Sequence, residues 1–544
     1  MKRQIEWDLD LLPSEYPSQI KNIYYKNYSS ERIGFSNWID DLSKDYKYDI
    51  DWWLLFPSSR NPNYSKLFHY ICILETFKKI NKSEIFLQIT TSSEFLFNLI
   101  KKGSLNKHKV DLIKKRNEKR TFYIDYLKSF LFQFYLYFFV RLFIKKKRIK
   151  EKIFIHTYPN NKLEKVERLF QFKDKKHSNN YVLVPSFLIS KNLLFWSKLI
   201  IKISKNNYVF KEHHVKLFDL IYAFKFIFRL KKFKKRYKKY KNLDFSSLIY
   251  SEINNLKNFN TYIIGLLNYK FVKNLREKEE KIKKSICWYE NHELKGWNMG
   301  FRKFFPKVKT LGYQGFSPLL PLMNSFPTKN EEKFKVIPEK IIVTSPKYKQ
   351  IVNEFNKNIK IVVGPTLVFR DIFKNFKKRT SIKYLVILNE IKNANIQILN
   401  WLDYISNNGV ENFFYIKTPK ILDMSSEIEK FKNNKNFRFT DENLPKLMKK
   451  SKYVITGGVG LSSVSLEAIS YKCRLLIPVV DPLDHIYFQK LKISKKFYKL
   501  FLSKDKFLNY FKNNLELKEK KISNHDYNNF KKNYFNMGSE KIFF

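Results

Sequence analysis

The chain has 544 residues, and its 105 Lys and Arg against 50 Asp and Glu give a formal net charge of +55. This length is too great for one hydrophobic core and predicts two domains. A hydrophobic share of 44% with eight tryptophans excludes a largely disordered chain. The three cysteines are too far apart in sequence for a disulfide framework or a CxxC metal site, which fits a reducing cytoplasm.

The positive charge would suit nucleic acid, an anionic membrane surface or anionic substrates. A competing explanation is a codon bias toward Lys, Asn, Ile, Phe and Tyr, as an AT-rich genome would supply. The N-terminus lacks an apolar run, so we expect no secretory signal. The longest uncharged apolar run, residues 129–140, is shorter than the roughly 20 residues that a bilayer span needs.

The first hundred residues alternate between strand and helix patterns. "DWWLLFP" (51–57) predicts a buried strand, a polar loop follows, and residues 66–80 have helical spacing. Residues 84–100 repeat the order of strand, polar loop and helix. Two such units favour a parallel sheet with crossover helices.

A basic and aromatic region follows, at about 125–243, with strands predicted at 152–158 and 181–185. Within 217–241 large apolar residues recur at steps of four and three, and eight of the eleven residues in 231–241 are Lys or Arg. This pattern predicts an amphipathic basic helix. The helix could pack on the core with a solvated charged face, or it could lie on anionic phospholipid headgroups, as could residues 129–140 with the basic run that follows them.

From about residue 336 the α/β alternation returns and predicts a second parallel-sheet domain. Its six predicted strands lie at 340–346, 359–365, 382–388, 412–419, 452–458 and 473–479. We therefore expect an N-terminal domain at 1–335 with a helical insertion around 125–243, a second domain at 336–484 and a helical tail at 485–544.

Three of only 13 glycines, Gly457, Gly458 and Gly460, lie together in "VITGGVGLSSVSLEAIS" (454–470). They form a strand-to-helix loop at the carboxyl edge of a sheet, where open α/β sheets bind ligands. Glycines let a phosphate approach backbone N–H groups. Neither a Walker motif nor GxGxxG is present, which disfavours ATP hydrolysis and NAD chemistry. Glu467 could bind ribose hydroxyls or simply complement the helix dipole.

The segment "GGVGLSSVSLEAISYKCRLLIPV" resembles the donor-binding end of GT-B glycosyltransferases, α/β proteins with two Rossmann-type domains facing a central cleft. The resemblance implies that a nucleotide-sugar donor binds here, with its phosphates at Gly458, Gly460, Ser462 and Ser463 and its ribose at Glu467. "YIKTPK" resembles a Lys/Arg-x-His-Pro strand end of related capsule transferases, with Thr418 in place of the His. By that resemblance Lys417 would face the charge of the leaving group.

A second constellation, "CWYENHELKGWNMGFRKFFPKVKTLGYQGF" (287–316), combines polar residues and glycines at predicted strand ends. Together with 51–77 it resembles a family of bacterial surface-carbohydrate biosynthesis proteins found in O-antigen and capsule loci and regarded as GT-B-like glycosyltransferases. The resemblance covers most of the chain and is weakest at 125–243 and in the tail.

Sugar transfer requires a general base near the acceptor hydroxyl. Glu290 is the first candidate and His292 the second, although an ion-paired carboxylate and a surface-loop histidine are the structural alternatives. The acceptor is expected near Gln314 and near Arg60, Asn61 and Ser65, which sit in the first predicted strand-to-helix loop or serve only its structure.

Two acid pairs, Asp8 with Asp10 and Asp49 with Asp51, mimic the DxD motif of metal-dependent glycosyltransferases. Both precede the first predicted strand and are interpreted as surface acids. We therefore expect no bound cation and no cofactor besides the donor substrate.

Three functions remain open. The first is a glycosyltransferase, peripheral on the inner face of the plasma membrane, that acts on a lipid-linked glycan. The second keeps the fold but transfers a polyol phosphate or epimerises a sugar nucleotide. The third is a basic nucleic-acid-binding protein, which the absence of any DNA- or RNA-binding motif disfavours, so no specific nucleic acid is expected as a partner.

Overall fold

The structure is a computed structural model that describes most of the chain. The described residues are 4–62, 64–83, 85–104, 107–113, 119–149, 151–159, 167, 169–172, 179–188, 192–254, 259–320, 322–419, 422–458, 462–515 and 520–544. Gly460, one of the predicted donor-binding residues, lies outside these ranges.

The strands form three parallel sheets. Sheet 1 has the order β1-β2-β3, with β1 (Gln4–Asp8), β2 (Phe86–Thr91) and β3 (Lys109–Leu112). Sheet 2 has the order β5-β4-β6-β7-β8-β9, with β4 (Lys152–Thr157), β5 (Tyr181–Pro185), β6 (Ile282–Trp288), β7 (Lys309–Gln314), β8 (Lys340–Val343) and β9 (Lys360–Val363). Sheet 3 has the order β12-β11-β10-β13-β14-β15, with β10 (Ile382–Ile387), β11 (Phe414–Lys417), β12 (Phe437–Thr440), β13 (Ser451–Ile455), β14 (Arg474–Pro478) and β15 (Tyr498–Phe501). The prediction of an α/β fold with two large parallel sheets is confirmed.

Helices connect and cover the strands. They are α1 (Ser18–Leu42), α2 (Ile50–Leu54), α3 (Phe56–Ser59), α4 (Leu67–Asn81), α5 (Glu94–Ser104), α6 (Lys119–Phe143), α7 (Leu193–Ser204), α8 (Leu217–Phe224), α9 (Phe226–Arg229), α10 (Ser246–Asn254), α11 (Phe259–Glu277), α12 (Leu294–Phe304), α13 (Lys329–Lys333), α14 (Pro346–Val352), α15 (Lys392–Asn407), α16 (Ser425–Lys430), α17 (Leu444–Lys450), α18 (Val464–Ser470), α19 (Tyr487–Lys490), α20 (Lys504–Lys512) and α21 (Asn524–Tyr534). Among the helices in the described ranges, none combines the length and apolar character that a membrane crossing requires.

The division between the two large sheets differs from the predicted boundary at 335/336. The sequence predicts β8 and β9 in the second domain, but β8 pairs with β7 and β9 pairs with β8, so both strands belong to sheet 2. Sheet 3 begins only at Ile382. The predicted helical tail also contributes β15 to sheet 3, and Phe543 then packs 5.2 Å from Tyr313 in the core of sheet 2.

The predicted strand at 51–57 is wrong. This segment forms α2 and α3, because the Asp49 side chain accepts a hydrogen bond from the Asp51 backbone N–H and caps α2. The interpretation of the acid pairs changes as well. Asp8 is the last residue of β1, so the acid pairs do not precede the first strand. Asp51 is only 1% exposed, so it is not a surface acid.

The predicted amphipathic helix at 217–241 is broken into α8, α9 and irregular backbone. Its apolar stripe is buried, with Phe226 and Phe233 fully inaccessible. Several of its cations pair with acids of the N-terminal region, for example Lys235 with Asp45 at 2.8 Å. The core-packed interpretation is therefore the right one for this stripe, which is not available to a membrane surface.

Helices α11 and α12 cross at two glycines. A Cβ on Gly296 would lie 2.0 Å from the carbonyl oxygen of Gly265, which no real contact allows. The close crossing packs α12, which follows β6 and the loop at residues 289–293, directly on α11.

We predict that Gly296→Ala lowers the free energy of unfolding by about 1–3 kcal/mol, because the added methyl forces the two helices apart. Urea denaturation measures the change. Gly103→Ala in α5 is the control, since its Cβ would meet nothing closer than a Phe77 ring carbon at 3.4 Å. If both variants are as stable as the wild type, the close crossing is not a constraint.

Candidate functional site

The described part of the glycine loop is held by a buried carboxylate. Gly458 has a φ of +62°, and its backbone N–H donates to Oδ2 of Asp484 at 3.0 Å. The same oxygen accepts the N–H groups of Val480 and Asp481, each at 3.0 Å. The Gly458 amide, which the sequence analysis assigned to a phosphate, thus donates to a side chain within the protein.

Gly457 and Asn389 complete this loop. The Asn389 side chain donates to the Gly457 carbonyl oxygen at 2.6 Å, and a Cβ on Gly457 would lie 2.6 Å from Val480. Asn395 of α15 holds Asn389 in place through two hydrogen bonds. Sequence reasoning missed Asn389 and Asp484, although both follow predicted strands of the same sheet.

Three predicted donor residues come together at the start of α18. The Ser463 hydroxyl donates to Oε1 of Glu467 at 3.2 Å, and the hydroxyl oxygen of Ser462 accepts the N–H of Val464 at 3.2 Å. All three predicted side chains are half-buried. The cluster offers two hydroxyls and one carboxylate to a polar ligand.

Lys417 does not join this cluster. Its Nζ donates to the Thr440 carbonyl oxygen at 3.1 Å and to Oδ1 of Asp441 at 3.2 Å. Strand β11 is separated from β13 by β10, and the lysine contacts the edge strand β12 instead. The carboxyl edge of sheet 3 therefore holds two separate polar groups.

Glu290 follows β6 at the carboxyl edge of sheet 2. The indole N–H of Trp288 donates to Oε2 of Glu290 at 2.7 Å, which fixes the direction of the carboxylate. The Asn324 side chain donates to the Glu290 carbonyl oxygen at 2.6 Å, and Gln314 donates to the Ser325 carbonyl oxygen at 2.6 Å. Glu290 remains 8% exposed.

His292 is a poor general base. It is 3% exposed, so it is not a surface histidine, and its Nε2 lies 3.1 Å from the Leu54 carbonyl oxygen. Burial, helped by the charge of Lys295, lowers the pKa of His292 to about 3. The imidazole is therefore neutral at pH 7, and its Nε2 proton is donated to the backbone.

A neighbouring carboxylate, Glu293, was missed from the sequence. It accepts a hydrogen bond of 2.5 Å from the Tyr158 hydroxyl, which follows β4 at the same edge of sheet 2. Burial raises the pKa of Glu293 to about 7. Only its position directly after the two predicted base candidates could have indicated it.

The predicted acceptor residues of the first loop are engaged inside the protein. Arg60 is 1% exposed and pairs with both oxygens of Glu331 at 3.0 and 2.9 Å. The Ser65 hydroxyl donates to Glu252 at 2.6 Å, and Asn61 is 4% exposed. The loop follows a helix, not a strand. These contacts fit the alternative considered from the sequence, in which the residues serve the structure of the loop.

Lys295 adds a second cation to the Arg60 pair, at 2.8 Å from Oε1 of Glu331. Burial raises the pKa of the Glu331 carboxyl, but the charges of Arg60 and Lys295 outweigh it and lower the pKa to about 2. The three side chains connect the end of α3 with α12 and α13 through hydrogen-bonded ion pairs.

The two sheet edges meet through one tyrosine. The backbone N–H of Phe316 donates a hydrogen bond to Glu290. The next residue is Ser317, whose hydroxyl oxygen accepts a hydrogen bond from the Tyr487 hydroxyl at 3.2 Å. The Tyr487 hydroxyl also lies near Ser465 of α18, two residues beyond Ser463, although no hydrogen bond joins the two side chains. The segment that contacts Glu290 and helix α18 thus both approach Tyr487 at the junction of the two units.

Within the described ranges, no group of three or more His, Cys, Asp and Glu side chains could hold a metal ion. The Asp49 and Asp51 carboxylates instead bind Lys232 at 2.6 and 2.8 Å. Oxygens of Asp10 accept the backbone N–H and the hydroxyl of Ser92.

No protein-family model and no curated protein matches the chain. Among solved structures, it is similar to a glycotransferase of kitacinnamycin at 6% identity and a TM-score of 0.40, over 70% of this chain and 93% of that one. A glycosyltransferase from Rickettsia africae matches at 10% identity and a TM-score of 0.39, over 71% and 94%. The glycosyltransferase SnogD from Streptomyces nogalater matches at 10% identity and a TM-score of 0.37, over 72% of this chain and 96% of that one. Likenesses of this size do not assign an activity or a substrate to this chain.

We predict that Glu331→Gln lowers the free energy of unfolding by about 3–5 kcal/mol at pH 7, because it leaves two buried cations without a counter-charge. Urea denaturation measures it. Since the pKa of Glu331 is about 2 in the folded protein, against 4.5 ordinarily, its contribution is complete above pH 4.5 and is lost as the pH falls toward 2. The difference in the free energy of unfolding between the wild type and Glu331→Gln should therefore become smaller below pH 4.5.

The matched control is Glu429→Gln, which removes a pair with Lys432 whose side chains are 64% and 59% exposed. Glu429→Gln should lower the free energy of unfolding by less than about 1 kcal/mol. Two results would contradict the assignment of Arg60, Lys295 and Glu331 as a buried charge cluster. One is an equal loss of unfolding free energy in Glu331→Gln and Glu429→Gln, and the other is a difference between wild type and Glu331→Gln that grows at acid pH.

Proposed function

We propose that the protein is a GT-B-type glycosyltransferase that moves a sugar from a nucleotide-sugar donor to a glycan acceptor. The observation that carries the proposal is the junction at Tyr487, whose hydroxyl donates to Ser317, next to the Phe316 amide that binds Glu290, and lies near Ser465 of α18. Parallel sheets bind ligands at their carboxyl edges, and here two such edges meet.

In the proposed reaction Glu290 accepts the proton of the acceptor hydroxyl as its oxygen bonds to the sugar carbon. The bond from that carbon to the donor phosphate breaks, and the nucleotide leaves with the electron pair. Trp288 holds the carboxylate in one orientation. The hydroxyls of Ser462 and Ser463 would bind the departing phosphate, and Glu467 the ribose. No metal ion or further cofactor enters this scheme.

The pathway and acceptor rest on the sequence resemblance to surface-carbohydrate proteins of O-antigen and capsule loci. From it we propose a lipid-linked glycan as the acceptor and a position on the inner face of the bacterial plasma membrane. No helix among the described residues could anchor the chain across the bilayer, so attachment would be peripheral.

The donor site is tested by thermal shift of the purified protein with UDP, GDP, CMP and dTDP. One nucleotide should raise Tm, by several degrees when present at a hundred times its Kd. Glu467→Ala should lose this shift, and Glu429→Ala, which changes an exposed glutamate of the same unit, should keep it. A folded wild type that responds to none of the four would overturn the proposal.

The catalytic assignment is tested with Glu290→Gln. Loss of a general base should lower kcat by about 10²- to 10⁴-fold while the thermal shift by the nucleotide stays. The assay follows transfer of radiolabelled sugar from the donor to extracted membrane lipids. Release of a nucleoside monophosphate with a transferred polyol phosphate, or conversion of the donor without any acceptor, would instead identify the second function considered above.

A further inference from the structure

Exposed apolar side chains are concentrated on four helices of the basic region. Leu131 and Leu142 of α6 are 56% and 72% exposed, Leu194 of α7 is 63%, Phe218 of α8 is 80% and Phe228 of α9 is 66%. Soluble proteins rarely expose a contiguous set of large apolar side chains of this kind unless it binds something. We call these five residues the apolar face.

The helices that carry the apolar face lie side by side. On one flank of α6, the Tyr135 hydroxyl donates to the Leu193 carbonyl oxygen of α7 at 3.2 Å. On the opposite flank, the Phe130 ring lies 4.0 Å from the Phe224 ring of α8. Leu136 and Val140 on the inner side of α6 are in the core of sheet 2. The α6 residues of the apolar face therefore point outward, on the side opposite the core, between α7 and α8.

The charges on these helices have one predominant sign. Lys128, Lys198 and Lys225 are exposed on α6, α7 and directly after α8. In the described side chains of α6 to α9 the acids are Asp125 and Asp219, and Asp219 is buried. Lys145 and Lys146, also exposed, follow the end of α6. Apolar side chains among cations match the boundary between acyl chains and anionic headgroups.

We propose that the apolar face inserts into the headgroup region of an anionic lipid bilayer, with α6 lying parallel to the membrane plane. Helix α6 has 25 residues, so it would contact the bilayer over about 37 Å. This surface differs from the stripe at Phe226 and Phe233, which is buried, and from Arg229 and Lys235, which pair with acids. The proposal deepens the proposed function by naming the surface that would bring the site to a lipid-linked acceptor.

The test measures sedimentation of the full-length protein with phosphatidylcholine vesicles prepared with and without phosphatidylglycerol. The wild type should sediment with the anionic vesicles and not with the neutral ones. A variant with Leu131→Asp and Leu142→Asp should bind at least tenfold more weakly. Met537→Asp is the matched control, because Met537 is 72% exposed like Leu142 but lies far along the chain, and it should bind like the wild type.

A charge variant with Lys198→Glu and Lys225→Glu should also lose binding to anionic vesicles. Failure of the wild type to bind, or unchanged binding in the double Asp variant, would overturn the inference. So would a wild-type dimer that the double Asp variant dissociates, because the apolar face would then be an interface between two copies. The nucleotide thermal shift, unchanged in the double Asp variant, shows that the variant is folded and separates this result from the proposed function.

Discussion

A charge that is taken out of water must be met by an opposite charge or by hydrogen-bond donors, and this constraint organises the protein. Asp51 is 1% exposed and is bound by Arg229 at 2.8 and 2.9 Å and by Lys232 at 2.8 Å. Asp484 is fully buried and collects three backbone N–H groups. Asp51 thus joins the N-terminal region to the basic region, and Asp484 joins the loops that follow β13 and β14 in sheet 3.

Much of the fold follows from local pattern. Long apolar runs bounded by turns, such as those that become β4, β10 and β14, predict buried strands because parallel sheets cover both faces. The run at 51–57 was misassigned, since a short apolar stretch suits a buried helix as well as a strand. The segment is a helix because Asp49 caps it and because the buried Asp51 has charged partners. One of these partners is Arg229, which lies 178 residues away in the sequence. Sheet membership of β8 and β9 likewise depends on pairing across the chain, which local spacing does not encode.

The candidate site shows the same limit. Some relations in the site are local in sequence, since Glu290 binds Trp288 two residues before it and Ser463 binds Glu467 four residues after it. Spacing did not predict that Asp484 binds Gly458, 26 residues earlier, or that Glu331 binds Arg60, 271 residues earlier. Residue types at strand ends therefore indicated where polar chemistry gathers. The buried ion pairs decided which of those residues are committed to holding the structure.

Phe543 lies in the core of sheet 2, where its ring packs on Tyr313, and its carbonyl oxygen accepts a hydrogen bond from Lys284. Between β9 of that sheet and Phe543 the chain builds the whole of sheet 3. On the ribosome, the first unit is therefore incomplete until the second has been synthesised. During that interval the nascent chain must leave the part of the apolar core that Phe543 fills open to solvent.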